Sequence, residues 1–108
     1  MPKLELRPEY QEIVQRLLAS HVPDSEVWAY GSRVTGHAHD GSDLDLVVRD
    51  PVEPARSQKN LATLRAAFSE SDLPIRVDVF DWSRLPEDFR REIERAHVVV
   101  WSTPPDPR

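Results

Sequence analysis

All three glycines of this chain lie between positions 31 and 41, in the run Gly31-Ser32-Arg33-Val34-Thr35-Gly36-His37-Ala38-His39-Asp40-Gly41, and Ser42-Asp43-Leu44-Asp45-Leu46-Val47-Val48 follows at once. Glycine serves where backbone turns sharply or passes close to a ligand. A chain that confines it to one short run has one place for such a feature, and here that place opens into an apolar strand. Strand alternation puts Asp43, Asp45 and Val47 on one face and Leu44, Leu46 and Val48 on the other. The apolar face can pack on a core. The acidic face cannot be buried bare, because unpaired buried charge costs several kcal/mol or more. At a rise of about 3.3 Å per residue the two carboxylates stand about 6.6 Å apart along the strand. That spacing suits convergence on one or two hard cations, and oxygen-only ligands favour magnesium over zinc.

A third acid lies downstream in Ile75-Arg76-Val77-Asp78-Val79-Phe80-Asp81. Alternation there places Ile75, Val77 and Val79 on one face and Arg76, Asp78 and Phe80 on the other. If this strand pairs beside the first, at the usual spacing of about 4.8 Å, Asp78 joins Asp43 and Asp45. Asp81 is the rival. It lies on the Val77 and Val79 face, just before a turn, where a hydrogen-bonding acid is ordinary, so Asp78 is favoured.

Gly31 and Ser32 sit where a strand gives way to a helix, and backbone amides at a helix start attract phosphate. Ser32 serves equally as a plain helix cap; the neighbouring Asp43 and Asp45 tip the reading toward phosphate. Arg33 has two open roles, a triphosphate or carboxylate contact and a solvated surface arginine. His37 and His39 lack the further nitrogen or sulfur ligands that a zinc site needs. Arg76 shares a face with Asp78, which favours a structural ion pair. Trp28, Trp82 and Trp101 read as packing residues.

The 108 residues suffice for one domain with one core, expected over residues 1–102 with a flexible tail at 103–108. Net charge is −5 and arginine outnumbers lysine by 12 to 2, a balance that disfavours free nucleic acid as a partner. Cysteine is absent, which excludes disulfides and thiolate metal sites. No signal peptide or membrane span is evident, so the chain reads as cytoplasmic and not membrane-bound. Apolar periodicity predicts a helix from Pro8 closed by Pro23, strands at Glu26 to Tyr30, Leu44 to Val48, Ile75 to Phe80 and Val98 to Trp101, a short helix from Ser32 to Ala38, and helices at about Gln58 to Phe68 and Pro86 to Arg95.

Taken together, Gly31-Ser32, Asp43-x-Asp45 and a later strand Asp78 resemble the minimal nucleotidyltransferases of the DNA polymerase beta superfamily. The likeness runs through nearly the whole chain, from Gly-Ser-Arg through Ser-Asp-Leu-Asp-Leu and Val-Asp-Val to the closing helix after Arg84-Leu85-Pro86. It implies an α/β single-domain polymerase-beta-like nucleotidyltransferase fold, a small mixed sheet flanked by helices. It further implies that Asp43 and Asp45 bind two Mg2+ ions, that Asp78 contacts the metal nearest the attacking hydroxyl, and that Gly31, Ser32 and Arg33 contact the nucleoside triphosphate. The implied reaction is transfer of a nucleotide, AMP from ATP, to a hydroxyl. Short relatives resemble antitoxins paired with a HEPN-type toxin, so the resemblance implies a hetero-oligomer in which the partner protein accepts AMP. A non-catalytic binding antitoxin and a small-molecule nucleotidyltransferase are the alternatives on the same fold. The chain departs from many relatives in carrying Thr35 in place of a second arginine and Ala96-His97 in place of a glycine.

Overall fold

The computed structural model describes residues 2–103, and its strands are β1 (Glu26–Tyr30), β2 (Leu44–Arg49), β3 (Val77–Asp81) and β4 (Val98–Trp101). Of the expected tail, all but Thr103 lies outside the described residues. The strands form one mixed sheet in the order β3-β2-β1-β4. β1 pairs antiparallel with β2 and β4, and β2 pairs parallel with β3. A parallel pair needs a crossover, which here contains helix α3 (Leu61–Ser69). The other helices are α1 (Pro8–His21), the four-residue α2 (Ser32–Thr35) and α4 (Glu87–Arg95), with a 3-10 turn at Trp82–Arg84.

Alternation along each strand divides the interior into two cores. Val27 and Ala29 of β1, Leu44, Leu46 and Val48 of β2, Val79 of β3 and Val100 of β4 join Val14 and Leu18 of α1 and Leu61, Leu64 and Phe68 of α3. Leu18, Leu46, Val48 and Leu64 are wholly buried, and each such side chain contributes about 1.5–3 kcal/mol of hydrophobic stabilisation. The opposite face carries a smaller cluster of Trp28, Tyr30, Val47, Trp82 and Ile93, flanked by Leu85 and Phe89. The acidic face is thus roofed over part of its area by α4 and the 3-10 turn. Its remainder, at Asp43, Asp45 and Asp78, is exposed or half-buried.

Both outer strands are guarded against further pairing, the usual hazard of a sheet edge. Arg65 of α3 donates from Nε and Nη2 to the Val79 carbonyl at 3.0 and 2.7 Å. Gln15 of α1 donates to the Val100 carbonyl at 2.5 Å. Among the described residues no helix is long and apolar enough to cross a membrane.

Several bounds differ from the periodicity reading: β3 runs Val77–Asp81 in place of Ile75 to Phe80, and β2 extends to Arg49. α3 begins at Leu61 instead of near Gln58 because the Gln58 amide is tied to Asp81 at 3.0 Å and Asn60 takes a left-handed conformation, φ 66. α4 begins at Glu87, with Pro86 as the residue before it. α2 stops at Thr35 because Gly36 adopts φ 83, a left-handed turn that ends helices.

Candidate active site

The chain leaves β1 at Tyr30 and turns through Gly31, whose φ of 81 and ψ of −154 belong to a region open essentially to glycine alone. The reason for glycine is also steric. A Cβ added at this position would lie 2.5 Å from Oδ2 of Asp45. Gly31 therefore lets the Asp45 carboxylate lie directly against the backbone at the strand-to-helix turn, and Ser32 is the first residue of α2, following Gly31 in the cap position.

Pairing then assembles the acids. Asp45 is the register partner of Tyr30 on one side and of Asp78 on the other. Side chains so opposed have Cβ atoms about 4.5–5.5 Å apart. Asp43 precedes β2 on the same face and is exposed, whereas Asp45 and Asp78 are half-buried. Asp45 is held above the usual carboxylate range, first by burial and then by the charges of Asp78 and Asp43, with Arg76 partly offsetting them. The Tyr30 hydroxyl is pushed well above the ordinary phenol value by burial and by Asp45 and Asp78. Tyr30 is thus a neutral hydroxyl on the same row as Asp45 and Asp78.

Asp78 accepts a hydrogen bond from Arg76 Nε at 2.9 Å, an ion pair in which the arginine is 75% exposed. Exposed pairs contribute little, so this one yields readily to a stronger cation. Among the described residues no group of three or more His, Asp or Glu side chains is arranged to hold a metal ion by itself. The donor set nonetheless fits magnesium, which binds through one or two carboxylates and completes its shell with water and substrate phosphate. The mutual charge crowding of Asp43, Asp45 and Asp78 is what such an ion relieves.

Asp81 lies apart. It pairs with Val48, is 7% exposed, and accepts from the Gln58 amide at 3.0 Å and from the Ser83 amide and hydroxyl at 3.0 and 2.7 Å. It organises the 3-10 turn and the approach to α3. His37 and His39 are exposed, their Nδ1 atoms in contact with Thr35 and Gly41.

Arg33 is placed differently from a phosphate contact. It is 7% exposed, and its guanidinium donates to the carbonyls of Ser42 (2.9 Å), Glu5 (2.8 Å), His39 (3.3 Å) and Asp40 (3.0 Å). Its donors fasten the loop between α2 and β2 to the N-terminal segment, and so fix where Asp43 enters the site. Ser42 adds to this by accepting from the His39 amide at 2.9 Å. Tyr30 escaped the sequence reading. Its signal was the alternation in Glu26-Val27-Trp28-Ala29-Tyr30, which sets Tyr30 on the face opposite Val27 and Ala29.

Comparison with known proteins gives the family of this fold. The profile of the family described as Polymerase beta, Nucleotidyltransferase matches residues 12–106. The chain is 44% identical over 100 residues to "Probable protein adenylyltransferase MntA" of Haemophilus influenzae, covering 91% of this chain and 84% of that one. Its fold matches a chain from a crystal structure of a toxin-antitoxin with AMP-PNP, with a TM-score of 0.68 at 22% identity, over 86% of this chain and 73% of that one. With the mixed sheet, the Gly31 turn and the paired acids in place, the chain belongs to the polymerase beta nucleotidyltransferase family.

Proposed function

We propose that this chain transfers AMP from ATP to a hydroxyl of a partner protein in a magnesium-dependent reaction, and that the partner is a HEPN-type toxin silenced by it. The observation that carries the reading is the register pairing of Asp45 with Asp78, with Asp43 on the same face and the Gly31 turn against Asp45. The relative described as a protein adenylyltransferase supports the nucleotide and the protein acceptor. The toxin-antitoxin fold neighbour, which holds an ATP analogue, is consistent with the partner class.

Asp43, Asp45 and Asp78 would hold two magnesium ions, which when bound neutralise charge on the attacking and leaving oxygens. Gly31 and Ser32 face the triphosphate, Ser32 with its hydroxyl and both with backbone amides. Arg33 holds the loop that delivers Asp43. The acceptor oxygen bonds to the α-phosphorus, the bond from that phosphorus to the bridging oxygen breaks, and pyrophosphate departs with the electron pair. The hydroxyl proton passes to the Asp78 carboxylate and on to water.

Intact-mass measurement of the co-purifying partner after incubation with this chain, ATP and magnesium tests the proposal. One or more added AMP units are expected, and Asp43→Asn should abolish them. A partner that is inhibited at unchanged mass replaces transfer with simple binding. Modification of a free small molecule in place of the partner removes both protein-directed readings.

A further inference from the structure

The acidic face of the sheet is laid out in two rows, Asp78, Asp45 and Tyr30 in the first, and Phe80, Val47 and Trp28 in the second. Helix α4 and the 3-10 turn seal the second row over Val47 and Trp28, which are 0% and 8% exposed, yet leave Phe80 41% exposed. Phe80 follows Asp78 by two positions on the same face of an outer strand, so the aromatic ring and the carboxylate are neighbours at the sheet's rim. Outside them lies a groove of about 610 Å³ along β3 whose lining includes Arg65, Phe68, Ile75, Asp78 and Phe80.

The direction of the proposed reaction assigns this rim. An in-line displacement brings the attacking oxygen in opposite the leaving group. The Gly31 and Ser32 turn lies beside Asp45 on the β1 side, and Asp78 lies on the other side of Asp45. With pyrophosphate leaving on the Gly31 side, the acceptor enters over Asp78, and Phe80 is the apolar surface it meets. Strand addition is disfavoured there, because Arg65 already occupies the Val79 carbonyl at the edge and a paired strand would forgo that bond. A side-chain contact is not so disfavoured.

We propose that Phe80 is the acceptor-side contact of this enzyme, seating an apolar side chain of the partner protein next to the hydroxyl that attacks. The inference rests on the proposed transfer to a protein and adds the surface by which that protein is selected. Two measurements on the full chain test it, using the acceptor protein identified by its mass change or by its inhibition. In calorimetric titration with that protein, Phe80→Ala should weaken binding about tenfold, the scale of losing one well-buried aromatic contact. Phe80→Leu should recover part of the loss, and affinity for AMP-PNP should be the same in all three proteins. In transfer kinetics, the KM for the acceptor should rise in Phe80→Ala while the KM for ATP stays put. Equal acceptor affinity in Phe80→Ala and the unaltered chain overturns the proposal whatever the kinetics give. A loss confined to AMP-PNP overturns it too, making Phe80 a nucleobase platform. Weakened acceptor binding in a chain that transfers nothing leaves the contact standing and removes only the transfer reading.

Discussion

Gly31 has two independent reasons to be glycine, and they act on different parts of the enzyme. Its φ of 81 with ψ of −154 strains any residue that has a Cβ, at about 1–3 kcal/mol. The Cβ of an alanine would also lie 2.5 Å from Asp45 Oδ2, so the carboxylate has to move. Gly31→Ala should therefore lower the unfolding free energy read from urea titration by an amount within that range and cut turnover by more than tenfold. Stability loss with unchanged turnover would show that the Asp45 position is dispensable. The need for a flexible residue at Gly31 was legible in the sequence, since glycine before a helix and a two-aspartate strand is a narrow pattern. Its steric cause was not, because it depends on β1 and β2 pairing so that Tyr30 faces Asp45. Arg33 shows the same limit. A guanidinium beside a glycine turn invites a phosphate reading, and only the path of residues 37–42 and of the N-terminal segment shows four carbonyls waiting for it.

At the scale of elements, the two acids of β3 separate by face. Asp78 lies on the face of Asp45, beside an exposed arginine; Asp81 lies on the core side and accepts hydrogen bonds from Gln58 and Ser83. Removing Asp81 leaves buried donors unsatisfied, which costs about 1–3 kcal/mol. Asp81→Ala should lose that much stability in urea titration and keep its affinity for AMP-PNP. Asp78→Asn removes an exposed ion pair of small value and should hold its stability while transfer falls by orders of magnitude. The reverse pattern would move the site to the other face of the strand. Alternation was enough to separate these faces beforehand, and β1 and β4 were readable to the residue from their Val, Trp and Tyr content. The start of α3 was not, because a tertiary tie sets it. The Asp81 carboxylate holds the Gln58 amide outside α3, a link across 23 positions that no local window contains.

For the whole molecule, the crowded acids link folding to pH and, through the proposed site, to magnesium. The Asp45 carboxyl sits above its usual range, so between that range and its raised value the folded chain binds more protons than the unfolded one. Stability contributed by this group is full when it is protonated and is lost as pH rises through that window. At pH 7 without divalent cations, Asp45→Asn should accordingly melt higher than the unaltered chain, and the gap should close on acidification as Asp45 takes up its proton. Magnesium bound at the proposed site would act in the opposite direction, by binding the ionised folded form. At about ten times its dissociation constant, a ligand stabilises by about 1.4 kcal/mol, and about 1 kcal/mol moves the melting point of a domain this size by about 4–8 °C. Thermal melts of the unaltered chain with and without magnesium should differ by several degrees at pH 7, and the difference should shrink sharply in Asp45→Asn while persisting in Phe80→Ala, whose ring lies on the row beyond the acids. A lower melting point for Asp45→Asn in the absence of metal would mean that its carboxylate is held by favourable contacts instead of crowded by its neighbours. The stability of this fold would then not depend on the cation proposed for its chemistry.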